Sequence, residues 1–330
     1  MELEGRELRG YLAERLGVEP GLLAVMALGG GVSNDVVLAS GGGVRCVAKQ
    51  SLGRLRVEEE WLSRRDRIHR ECDALRAMAG VLPQWAVPRV LFEDRERFVF
   101  GMEAAPADAL PWKTELLAGE VRAEVAGVCG RLLGAWISES ARRPEWRGAF
   151  GDLTVFEELR VDPYYRFTAG KHPELREHFA ALIDECLQRR VSLVHGDYSP
   201  KNLLVSGARV MVIDWEVAHW GDPAFDGGFL TNHLVLKFAA VAAAREELRR
   251  AGAEFWRGLR EEAGDGYEWL EAASMKHLGC LLLARLDGKS PAEYLKDEEL
   301  KAKLRGAARE LICEPAGTVG EVFERVTKWI

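Results

Sequence analysis

His195-Gly196-Asp197-Tyr198-Ser199-Pro200-Lys201-Asn202, followed by two short apolar stretches and then Ile213-Asp214-Trp215-Glu216, is the part of this 330-residue chain that decides its fold. Residues 203–205 and 210–213 flank Ser206-Gly207-Ala208-Arg209, the pattern of two strands joined by a hairpin. That hairpin returns Asp214 beside Asn202, and the turn at Ser199-Pro200 turns the Asn202 amide toward the same cavity. The set suits phosphoryl transfer, which needs a carboxylate to orient and deprotonate an acceptor hydroxyl and oxygen ligands to hold Mg²⁺ on the phosphates. Alternation along an extended segment puts Asp214 and Glu216 on one face and Trp215 on the other. A cation between the two carboxylates relieves their repulsion. A solvated acidic turn with an Asn cap is the plain alternative, but it does not explain why apolar strands bracket each polar cluster.

On these residues the chain resembles the aminoglycoside phosphotransferase-like small-molecule kinases, a superfamily with the protein-kinase fold that includes methylthioribose kinase and choline kinase. The resemblance implies an α+β, bilobal fold: a small β-rich N-lobe over residues 1–101, a hinge over 102–107 and a larger, mainly helical C-lobe over 108–330. It implies ATP and Mg²⁺ as cofactors, Asp197 as the catalytic base, and Asn202 and Asp214 as metal ligands. Asp214-Trp215-Glu216 matches the Asp-x-Glu of methylthioribose and choline kinases, where the Glu assists at the metal. Gly221-Asp222-Pro223-Ala224-Phe225-Asp226 resembles the family's Gly-Asp-Pro-x-x-Asp. There the last Asp braces the catalytic loop, so Asp226 takes that role, with a helix N-cap as a compatible alternative. His195 is expected to support the loop by hydrogen bonding and not to act as acid or base.

A nucleotide-gripping half is legible upstream. Residues 22–28, 36–39 and 44–47 read as three short strands, with Gly29-Gly30-Gly31-Val32-Ser33-Asn34 joining the first pair and Ser40-Gly41-Gly42-Gly43 the second. Glycines in the first turn let backbone N–H groups approach phosphate oxygens, which makes Gly30, Gly31, Ser33 and Asn34 candidates; an ordinary hairpin is the other reading. Lys49 closes the third strand where a kinase keeps its phosphate-holding lysine. In the helix expected over 67–78 the apolar face is Ile68, Cys72, Leu75 and Met78, and Glu71 lies on its buried edge. A buried carboxylate asks for a partner, and Lys49 is the natural one. Lys49, Gln50, Arg56, Glu60 and Trp61 resemble a stretch of methylthioribose kinase, although a solvated loop reads equally well there. Two more strands are expected at 89–93 and 97–101. Met102, Glu103 and Ala104 then open the hinge, whose backbone would meet the adenine edge, unless the segment is a plain Pro-containing loop.

Composition agrees with a soluble two-lobed kinase. The chain is 48% apolar and 29% charged. Its formal net charge of −7 argues against a nucleic-acid surface. Six cysteines without a Cys-x-x-Cys pair read as small buried hydrophobes of a reducing compartment. No signal core or membrane-length apolar run is seen, so a cytoplasmic protein without membrane contact is expected. Helix-period apolar residues over 120–136 and 172–188 announce the C-lobe.

For the acceptor, a small molecule bearing a hydroxyl, Trp215, His219, His277 and Arg285 are the candidate contacts. Buried salt bridges tying helices together are the alternative for Arg285 and Asp287. Cationic aminoglycosides or choline favour carboxylate- or aromatic-rich pockets, whereas these residues mix Arg, His, Asp and Trp, so a neutral sugar or related metabolite fits better. Methylthioribose is one such acceptor, although Asn202 is where methylthioribose kinase typically departs from the superfamily. A protein kinase lacks support because no Ala-Pro-Glu element follows Asp214. A non-catalytic nucleotide-binding module is disfavoured by the joint presence of Lys49, Glu71, Asp197, Asn202 and Asp214.

Overall fold

A computed structural model describes residues 5–29, 33–56 and 62–330. Helix α1 (Gly5–Leu16) precedes an antiparallel sheet of β1 (Ala24–Ala27), β2 (Asn34–Gly41), β3 (Val44–Ser51), β4 (Val90–Asp94) and β5 (Val99–Glu103), in the order β1-β2-β3-β5-β4. Leu8 and Leu12 of α1 bury against Val37, Ala39, Cys46, Ala48 and Val99 of the sheet, giving the small lobe its own core. Gly41, Gly42 and Gly43 all have positive φ and make the β2–β3 turn tight enough for full pairing from Asn34↔Ser51 to Gly41↔Val44. Helix α2 (Arg67–Met78) occupies the span expected from its apolar period, and Ile68, Cys72, Leu75 and Met78 are fully buried.

The connection between lobes starts later than expected. Met102 and Glu103 complete β5, pairing with Val47 and Cys46 of β3, so the segment free of the sheet begins at Ala104, whose N–H still donates to the Arg45 carbonyl. Two short β units follow: β6 (Leu110–Pro111) with β8 (Leu203–Ser206) and β9 (Arg209–Val212), and β7 (Ser192–Val194) with β10 (His219–Gly221). The rest is helical: α3 (Ala123–Ala141), α4 (Arg176–Gln188), α5 (Ala224–Ala240), α6 (Arg245–Ala263), α7 (Leu270–Asp287), α8 (Glu298–Cys313) and α9 (Val319–Trp329). Among the described residues no single helix is long and apolar enough to cross a membrane; α5 and α6 meet that test only as two pieces bent by 119°.

Close approach of α3 and α6 sets the scaffold beneath the site. A Cβ on Gly130 would lie 2.0 Å from the Phe255 carbonyl oxygen, and one on Gly258 would lie 2.4 Å from the Gly127 carbonyl oxygen. Gly130→Ala should therefore force the helices apart and lower stability by about 1–3 kcal/mol, read as a lower urea midpoint.

Candidate active site

The hairpin forms with the expected register: Leu203↔Val212 through Ser206↔Arg209, closed by the Ile213 N–H donating to the Asn202 carbonyl at 3.0 Å. This places Asp214 directly after the return strand. Asp214 has φ 70°, a left-handed conformation uncommon for a non-glycine residue and one that clusters at functional sites. Gly196, before Asp197, has φ 77°, and a Cβ there would meet Val217 Cγ1 at 2.7 Å, so this loop position admits glycine alone without strain.

The loop is held from behind. Asp226 accepts from the His195 N–H at 2.6 Å and the Gly196 N–H at 2.9 Å, the bracing geometry expected of it. Burial pushes its carboxyl up to about 7 despite those donors. His195 Nε2 donates to the Ile213 carbonyl at 3.0 Å while Nδ1 accepts from the Asp197 N–H at 3.1 Å, which fixes the tautomer. Burial lowers its pKa to about 4, so the ring is neutral at physiological pH and ties the loop to Ile213, the residue before Asp214. Tyr198 anchors the loop to α3 through the Cys129 carbonyl at 2.8 Å.

Lys49 joins the two lobes chemically. Its ammonium lies 2.8 Å from Glu71 on α2 and 2.6 Å from Asp214, so the expected ion pair forms and a second one crosses the cleft. Burial would raise the Asp214 carboxyl, but Lys49 and Lys201 outweigh it and hold the group well below the carboxylate range. Burial, with Asp214 and Glu216 nearby, pushes Glu71 up to about 7 against the opposing pull of Lys49. Oxygens of Glu71, Asp214 and Glu216 lie within 4.8 Å of one another, a hard-oxygen donor set that fits Mg²⁺. Asn202 is buried beside it, its amide nitrogen donating to the Asp197 carbonyl at 3.0 Å.

Two arginines complete the site. Arg67, fully buried at the start of α2, donates to the carbonyls of Ser33 at 2.5 Å and Leu52 at 2.8 Å and to Glu216 at 3.1 Å. Asn34 donates to the same Glu216 oxygen at 2.9 Å. Ser33 and Asn34 are thus fastened to the Asp-x-Glu segment. A signal existed: Arg67 lies one helical turn before Glu71 and shares its buried edge. Arg160 sits in a wide π-helical segment, Glu157–Arg166, 3.0 Å from the Asp197 carboxylate, which Lys201 also meets at 2.9 Å. Burial would raise Asp197; Arg160 and Lys201 prevail and keep it below its ordinary value, hence ionised. No periodic pattern marks a π-helix, so the approach of Arg160 to Asp197 was not legible in the sequence.

Several expected positions fall elsewhere. Gly30, Gly31, Glu60 and Trp61 lie outside the described residues. Arg56 pairs with Asp35 at the surface. Trp215, fully buried, meets Trp136 edge-to-face and His195 at a tilt behind the loop, its indole N–H donating to the Val212 carbonyl. His219 stacks on Phe156 at 4.0 Å and bonds the Val217 carbonyl, and His277 bonds the Tyr165 hydroxyl at 2.7 Å. Burial lowers both to about 3, so they are neutral core histidines, placed among buried aromatics instead of at the Asp197 carboxylate. Arg285 makes no ion pair among the described residues and bonds Ser290, whereas Asp287 pairs with Arg305 and His172 and ties helices together.

Residues 24–272 match the family model described as the phosphotransferase enzyme family, and the chain belongs to that family. Among curated proteins it is 28% identical over 223 residues to methylthioribose kinase of Pectobacterium atrosepticum, covering 60% of this chain and 55% of that protein. It is also 28% identical over 284 residues to methylthioribose kinase of Escherichia coli, covering 76% and 68% respectively. The chain thus spans just over half the length of the first relative. Among solved structures it is similar to an amicoumacin kinase in complex with AMP-PNP, Ca²⁺ and Ami, with TM-score 0.56 and 14% identity over 96% of this chain and 95% of that one. It is similar too to a spectinomycin phosphotransferase bound to ADP and spectinomycin, with TM-score 0.53 and 12% identity over the whole of both chains. At these identities the structural likeness establishes the kinase-like fold.

Proposed function

We propose that this protein is an ATP-dependent kinase that transfers the γ-phosphoryl group to a hydroxyl of a sugar-like small molecule. The observation that carries this reading is Lys49 held between Glu71 and Asp214 at the cleft, with the ionised Asp197 on the neighbouring loop. In the reaction the bond from the γ-phosphorus to the β–γ bridging oxygen breaks as a bond to the acceptor oxygen forms. The acceptor proton passes to Asp197, and ADP leaves with the electron pair. Asn202 and Asp214 would hold Mg²⁺, with Glu216 assisting. When bound, the ion neutralises charge on the phosphate oxygens. Lys49 places its ammonium against the phosphates, oriented by Glu71. Ser33 and Asn34 would lie against the triphosphate, and the backbone from Met102 to Ala104 would meet the adenine. His195 and Asp226 keep the loop in shape. The relatives named methylthioribose kinase support a sugar-like acceptor.

The test is ADP release from purified protein, with and without magnesium, over pentoses, hexoses, methylthioribose, choline and aminoglycosides. Magnesium-dependent turnover of a sugar is expected. Efficient turnover of cationic aminoglycosides with no sugar activity would refute the acceptor reading. Glu71→Gln should lower kcat at least tenfold with the fold intact by circular dichroism, because Lys49 loses the charge that orients it.

A further inference from the structure

Along α5, Phe229, His233 and Lys237 recur every fourth residue and form one stripe. At one end Phe229 lies under Arg160, 5.9 Å from guanidinium carbon to ring centroid, and Arg160 in turn pairs with Asp197. Phe229 also packs on His233 at 5.2 Å. The other end lies about 12 Å farther by helical rise. There the fully buried Lys237 has only neutral partners among the described residues: the His233 carbonyl at 3.3 Å, the Tyr294 hydroxyl at 3.4 Å and the Tyr294 ring, 5.1 Å from ammonium to centroid.

Among the described residues Lys237 makes no ion pair, and neither does Arg285, whose charge acts on it. Arg285 is 8% exposed, and its Nε is buried without a hydrogen-bond partner. Lys113 also lies by the Tyr294 ring, 5.8 Å from its centroid, and is paired to Glu293, the one carboxylate acting on Lys237. Asn232, on the same helix and fully buried, has both side-chain amide atoms unpartnered. Burying cations without counter-charges is costly, and burial together with Arg285 and Lys113 pushes Lys237 down to about 7. A bound anion removes that cost. The two ends are joined along α5: Arg160, paired with Asp197, lies over Phe229, Phe229 packs on His233, and the His233 carbonyl accepts from Lys237.

We propose that the acceptor carries an oxyanion, a carboxylate or a phosphate ester, which lies against Lys237 and Arg285 while its hydroxyl reaches Asp197. This rests on the kinase reading and replaces the neutral sugar expected from sequence with a negatively charged one. It also gives Arg285 an acceptor-binding role, through an anion and not through a sugar ring.

The test uses the full chain with AMP-PNP and magnesium filling the nucleotide positions, and calorimetry with inorganic phosphate and with acetate, whose relative affinities separate the two oxyanion types. Wild type should bind at least one, and Lys237→Met and Arg285→Gln should each weaken it at least tenfold with AMP-PNP affinity within twofold. Lys237→Met should melt no lower than wild type, since it removes a buried charge that has no ion-pair partner, and Lys237→Arg should retain binding. In turnover, ribose 5-phosphate or gluconate should exceed ribose or glucose at least tenfold in kcat/KM, and Lys237→Met should erase that margin. Absence of anion binding, equal binding in both variants, or preference for the neutral twins would overturn the proposal. Magnesium-dependent turnover of a neutral acceptor would leave the kinase reading standing, whereas absence of magnesium-dependent nucleotide binding would remove that reading itself.

Discussion

Asp197→Asn should lower turnover by about 10²–10⁴-fold, the usual contribution of a positioned general base, and leave ATP affinity within about twofold. The side chain is isosteric, and the backbone of the loop stays fixed by Asp226, His195 and Tyr198. What changes is charge. Arg160 and Lys201 converge on the Asp197 carboxylate and keep it ionised, and an amide in that place accepts no proton from the acceptor. Lys49 and Asp214, which face the nucleotide in this account, are untouched. Steady-state kinetics and nucleotide titration on one preparation check both halves, and a variant retaining more than about a tenth of the wild-type rate removes Asp197 from its role.

Asp214→Ala should abolish the magnesium-dependent part of ATP binding, seen by calorimetry with and without the metal. The residue combines the carboxylate that Lys49 contacts across the cleft with a left-handed backbone that aims it there. Its loss leaves Lys49 with Glu71 alone and opens the hard-oxygen cluster. Glu216→Ala should be milder toward the metal, because Glu216 is already engaged by Arg67 and Asn34. Its loss should instead loosen Ser33 and Asn34 and raise the KM for ATP. Unaltered magnesium dependence in both variants would mean that the metal binds elsewhere.

Local patterns carried much of this architecture in the sequence. Two apolar runs around a polar turn located β8 and β9, although Ser206 and Arg209 of that turn pair as their last rung, and a 3.6-residue period located α2 to the residue. Glu71 on the buried edge of α2 asked for a cation, and Lys49 answered. The remainder depended on tertiary contacts that periodicity does not encode. Arg160 reaches Asp197 only through a π-helical segment, and Lys237 reads as one polar residue in an apolar helix until α7 and Tyr294 are packed against it. His219, His277 and Trp215 lie close to the motif in sequence or composition, yet their polar atoms are spent on backbone and tyrosine partners inside the core. The sheet also runs two residues into the span expected as hinge, since Met102 and Glu103 still pair with Val47 and Cys46 of β3.

The central claim is that Asp197 and the Lys49–Asp214 pair move a phosphoryl group onto a hydroxyl. Phosphorus NMR of the protein with ATP, magnesium and the anionic and neutral acceptors tests it most directly. The account predicts a new phosphate-ester resonance that grows in step with ADP and is absent with Asp197→Asn. ADP accompanied only by inorganic phosphate, or an ester signal undiminished in that variant, would contradict it.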